Sequence, residues 1–68
     1  MNVLEILRQK SKGVEGLSAR SILNYVIYEF EVGGPSKEIL EEALRLASKE
    51  IEQLQKVIEI LKDIEVYV

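Results

Sequence analysis

The chain has no cysteine and no histidine. Their absence removes disulfides, zinc clusters and most transition-metal sites. Any nucleophilic catalysis would rest on serines, and acid–base work on carboxylates. Excess positive charge is missing too: 9 Lys and Arg stand against 12 Asp and Glu, a net charge of −3 that gives no general attraction to nucleic acid or anionic lipid. No apolar run approaches the ~18 residues of a membrane span. Residues 1–7 are too short an apolar stretch for a signal peptide, and no small-residue cleavage pattern follows. The expected location is the cytoplasm, with no membrane partner and nucleic acid disfavoured. Scarce Asn and Gln beside abundant Glu, Lys, Ile and Val fit a thermophilic composition.

What remains is a 68-residue chain that is 47% hydrophobic, enough to fold and enough for one domain, 1–68. A chain this short buries only ~60% of the surface it exposes when unfolded. Its core supplies roughly 3–5 kcal/mol, and with metals and disulfides excluded, oligomerisation is the remaining means of adding to that.

The dominant pattern is a stripe at Leu40, Leu44, Ala47, Ile51, Leu54, Ile58 and Leu61, stepping by four and three. This is the a/d seam of a helix of about 25 residues that needs a partner along its length. Ala43, Val57 and Ile64 add apolar g positions, and Ile39, Leu46 and Ile60 widen the face further. So broad a face belongs to a helix with two or more neighbours. Pro35 and Ser36 start this helix, Glu38, Glu41 and Glu42 favour its positive end, and Glu41–Arg45 and Glu52–Lys56 are spaced as i, i+4 pairs.

Two shorter helices precede it. Asn2 caps the first, with Glu5 in capping-box position and Met1 placed to staple against Ile6; the pattern fails after Gln9, and Lys10 to Gly13 read as fraying and loop. The second begins at Ser18 as cap, with Leu17 stapling to Ile22, and Ala19, Ile22, Leu23, Val26, Ile27 and Phe30 keep the helical period. Tyr25, Tyr28 and Val32 form a second stripe beside that one, and Gly33 and Gly34 provide a left-handed stop. The two short helices together are long enough to line one side of the long one.

A competing pattern covers part of the second helix. Val26, Tyr28, Phe30 and Val32 alternate with Glu29 and Glu31, and Ile64, Val66 and Val68 alternate as well. Strands near 26–32 and 64–68 would flank the long helix in an α+β fold completed by a second subunit. The stretch FEVGGPSKEILEEALRLAS, Phe30 to Ser48, is similar to a strand-to-helix segment of a large-subunit ribosomal protein family. That resemblance implies a strand at Phe30–Glu31. It covers under a third of the chain, which departs from the family in being acidic, in lacking basic RNA-contacting segments, and in extending the helix. The helical reading covers more residues and has a cap behind it, so the expected fold is all-α: a short, a medium and a long helix in a dimeric bundle. Antiparallel pairing is favoured because e and g positions such as Ser48, Gln55 and Val57 offer no charge network to hold parallel chains.

The expected function is a small non-enzymatic oligomerisation or protein-interaction module without cofactor or metal, its partner a second copy or another protein. The carboxylate pairs Glu29/Glu31, Glu41/Glu42 and Glu59/Asp63 read as solvated faces, and Gly33–Gly34 lacks the Lys-Ser/Thr sequel of a phosphate loop. Arg20, Tyr25 and Tyr28 form a candidate partner patch, being types that dominate interface energies. The alternative is a nucleic-acid-binding regulator that uses the basic 8–20 segment. Its phosphate contacts would be Arg8, Lys10, Lys12, Ser18 and Arg20. In a helix-turn-helix, however, the recognition helix after Pro35 would present Glu38, Glu41 and Glu42 to DNA, which repels it.

Overall fold

Helical periodicity wins over alternation along the whole chain. The computed structural model describes residues 2–68. Among the described residues there are three helices and no strand: α1, Val3–Ser11; α2, Leu17–Gly33; and α3, Lys37–Glu65. The Met1–Ile6 staple lies outside the described residues.

Residues 26–32 show why the strand reading fails. A strand would bury Val26, Tyr28, Phe30 and Val32 together. Instead Val26 (3% exposed) and Phe30 (4%) are buried four residues apart, while Tyr28 (62%) and Val32 (70%) face outward. Phe30 and Glu31 are likewise helical, contrary to the strand the ribosomal resemblance implies. Ile64 and Glu65 belong to α3, and the chain then turns, with the Tyr67 amide donating to the Ile64 carbonyl at 2.9 Å.

Local chemistry sets the helix ends. The Asn2 side chain accepts from the Glu5 amide at 2.9 Å, as expected of a cap; α3 starts at Lys37 rather than at Pro35, with the Ser36 hydroxyl accepting from the Ile39 amide at 3.4 Å as its cap. Other ends differ from expectation. α1 runs on through Lys10 to the buried Ser11, whose hydroxyl donates a 2.7 Å hydrogen bond back to the Leu7 carbonyl. α2 is capped by Gly16 rather than Ser18; Gly16 has φ +104°, a conformation closed to most side chains, and its carbonyl accepts from the Arg20 amide at 3.0 Å. Leu17 enters the helix pointing outward, 88% exposed, so it makes no effective staple over Ile22. At the other end Gly33 completes the helix and Gly34 alone has positive φ, +82° with ψ 169°, in a region that is essentially glycine's own.

Gly34, Pro35 and Ser36 turn the chain so that α3 runs back along α2. Val26, Phe30 and Ala43 form the core, with Leu4, Leu7, Ile22, Tyr25 and Ile39 packed around it. α1 lies along α2 and not along α3, which corrects the expectation that both short helices line the long one. Two contacts hold it there. The Arg20 guanidinium donates to the Ser11 carbonyl at 2.7 Å, satisfying the end of α1, and Arg8 pairs with Glu31 at the far end of α2. At 1.5 Å per residue α2 covers about 26 Å of an α3 that is roughly 43 Å long. The excess projects, giving a rod with extents of 52 × 22 × 15 Å.

Candidate interaction surface

The position of α2 divides α3 by face and by length. α2 docks on the side that carries Ile39, Ala43 and Leu46, the c and g positions of the heptad. The a/d seam is left open beside it: Leu44 is 67% exposed, Ile58 51% and Leu61 61%, while Leu40, Ile51 and Leu54 are exposed to similar degrees and only Ala47 is half-buried. The stripe expected to form the seam stays outside the intramolecular core, which is built on its neighbours. From Ile51 onward every residue of α3 is exposed. Val57, Ile60 and Ile64 widen this uncovered surface. Contiguous apolar faces of this length are rare on monomeric soluble proteins.

Where the first turns of α2 meet α3, two grooves flank the contact. One, of about 330 Å³, is lined by residues that include Leu17, Ser21, Leu46 and Lys49. The other, of about 250 Å³, lies on the seam side between Ser18, Ala19 and Ile22 of α2 and Ala47, Glu50, Ile51 and Leu54 of α3. Sequence reading missed Ala19 and Glu50 as surface-forming residues. Neither carries a signal by type, and only the docking angle of α2 brings them together.

The three residues of the candidate partner patch differ in exposure and engagement. Tyr25 packs against the core, Tyr28 is exposed, and Arg20 is committed to the Ser11 carbonyl. Of the candidate phosphate contacts, Lys10, Lys12, Ser18 and Arg20 lie around the α1–α2 turn, but they are differently engaged. Arg8 is paired with Glu31, Arg20 caps α1, Ser18 sits exposed within the first turn of α2, and Lys10 and Lys12 point to solvent.

Charge on the outer face of α3 is also rearranged from expectation. Arg45 binds Glu42, not Glu41, through Nη2–Oε1 at 2.6 Å and Nε–Oε2 at 3.3 Å. Hydrogen bonding from Arg45 holds the Glu42 carboxyl below its ordinary range, and the same bond raises the Arg45 guanidinium. Among the described residues Glu52 and Lys56 form no ion pair; those present are Arg8–Glu31 and Glu42–Arg45. No described helix is long and apolar enough to cross a membrane, and among the described residues no three carboxylates converge.

Comparison with known proteins finds no significant match to a family model, a curated protein or a solved structure.

Proposed function

We propose that the chain is a small non-enzymatic helical module that associates with a second copy of itself, and that α3 carries the association. The observation behind this reading is the open seam, with Ile51 and Leu54 exposed at the edge of α2 and Ile58 and Leu61 exposed beyond it. Among the described residues no other element covers it, since α1 packs on α2. Leaving such a face in water forgoes about 1.5–3 kcal/mol for each Leu or Ile that could be buried. The cytoplasm, with its reducing conditions, suits a chain without cysteine.

Size-exclusion chromatography with light scattering tests the reading directly. A dimer at micromolar concentration is expected, with no salt-dependent retention of DNA or RNA. A monomer at that concentration rejects the proposal. The nucleic-acid alternative now rests on Lys10 and Lys12, the two basic side chains of the 8–20 segment outside the hydrogen bonds and ion pairs described above. Retention that falls steeply with salt and disappears on changing both lysines to Glu would establish it instead.

A further inference from the structure

We infer that the two copies pair antiparallel through the C-terminal halves of α3, with Leu54 level with the partner's Ile58 and Ile51 level with the partner's Leu61. The inference rests on the self-association proposed above and adds its direction and register. Three observations carry it.

The first is the side of the seam on which α2 sits. α2 docks on the g side, and the seam-side groove lies between its first turns and Ala47, Ile51 and Leu54. In an antiparallel pair g faces g, whereas in a parallel pair g faces e. Antiparallel pairing therefore brings the partner's Val57 and Ile64 to the α2 side, and Ile64 arrives beside Ala19 and Ile22. Parallel pairing would bring the partner's Ser48 and Gln55 to that apolar groove. The apolar g positions thus have a use in one direction and none in the other.

The second is charge. A parallel seam stacks Glu65 of α3 on its own copy. The antiparallel register instead places the partner's Glu65 level with Ala47, next to Ser18. The first turn of α2 has no acidic residue and no side-chain cap of its own, so its positive end favours a carboxylate, with Glu50 of α3 the one acidic residue lining the same groove.

The third is area. The four seam residues Ile51, Leu54, Ile58 and Leu61 pair wholly with one another in this register, flanked by Val57 and Ile64. Six such side chains from each copy, at roughly 100 Å² apiece, bring about 1,200 Å² out of water, the lower bound of a stable interface; the rims of the groove add to it.

The absence of native cysteine makes the test clean. Gln55 lies close to the two-fold axis in this register, on the same side of the seam as the partner's Gln55. Helix axes about 8–10 Å apart hold the two Gln55 Cα atoms at roughly that distance, so Gln55→Cys is expected to be joined across the dimer by a short bis-maleimide of about 8 Å reach. The two Leu61 side chains stand about 15 Å apart along the axis, beyond that reach, so Leu61→Cys should remain unlinked. Ala19→Glu, which fills the groove, and Ile64→Ser, on the part of α3 that α2 does not touch, should each raise the dissociation constant by roughly tenfold or more. Linking at Leu61→Cys, no linking at Gln55→Cys, or an unchanged dissociation constant in both Ala19→Glu and Ile64→Ser would overturn the register while the wild type still sized as a dimer. A monomeric wild type would overturn the self-association itself, and sizing reads that first.

Discussion

The two halves of α3 carry the same amphipathic repeat and meet opposite fates. In the N-terminal half Ile39 and Ala43 pack beneath α2 and join the core with Val26 and Phe30. In the C-terminal half the matching c and g positions Val57, Ile60 and Ile64 have no cover, and the seam from Ile51 to Leu61 lies open beside them. The difference does not lie in composition. α2 is shorter than α3 by twelve residues, 17 against 29, and the single short helix left over is tied to α2 by Arg20 and Arg8. An apolar period states that a face will be covered. Whether the cover comes from the same chain depends on lengths and on where the remaining helix is fastened.

Substitutions in the two halves should therefore fail differently. Phe30→Ala strikes the intramolecular core and should cost about 3–5 kcal/mol, comparable to everything so small a core provides. Far-UV circular dichroism should show loss of cooperative unfolding. Ile58→Asp strikes the other half, where the side chain is exposed within one chain. It should abolish the dimer on light scattering while α1, α2 and the first half of α3 stay folded. Hydrogen exchange sharpens the contrast, because amides after Leu54 should be protected in the wild type and exchange freely in Ile58→Asp. If Ile58→Asp unfolded the whole chain, the two halves would be one cooperative unit and the comparison would collapse.

Much of this was legible in the residues. Asn2 caps where its side chain says it should, and the spacing of Val26 and Phe30 already places them on one inner face. The partition of the broad face of α3 was not legible. Period alone ranks Leu40 and Leu44 above Ile39 and Ala43, yet α2 chose the latter pair, because Ala43 is small enough to let the bulky Phe30 approach. Ser11 was hidden for another reason. A polar residue before two lysines and a glycine reads as loop, but its hydroxyl is satisfied within its own helix and its carbonyl by an arginine nine residues away. The groove was equally invisible, since Ala19 and Glu50 meet only after α2 has docked.

The clamp on α1 tests why the second half of α3 is left bare. Arg20→Met keeps much of the stem's packing but removes the charge-assisted hydrogen bond to the Ser11 carbonyl, at a cost of about 1.5–3 kcal/mol. The expected result is faster exchange in α1 with α2 and α3 unchanged, and a dimer as tight as the wild type, since α1 takes no part in the seam. Ser36→Ala should cost about 1 kcal/mol through the lost cap and act on the covered half alone.

The smallest effect concerns the exposed pair Glu42–Arg45, which sits on the outer face of the covered half. The bond from Arg45 lowers the Glu42 carboxyl below 4.5, so Glu42 gives up its proton more readily in the folded chain than in the unfolded one. Its contribution to stability is therefore present above the ordinary carboxylate range and is lost as pH falls through the lowered value. Both side chains are substantially in water, at 42% and 59% exposed, so solvent screens most of what the pair could add. Glu42→Gln should melt within error of the wild type at pH 7 and at every lower pH, in 0.15 M salt. Its dimer should be equally unaffected, because Glu42 lies away from the seam. A sizeable loss at neutral pH that vanished in acid would show that this end of α3 depends on its outer face as well as on α2, and the contrast between the two halves would have to be redrawn around charge rather than cover.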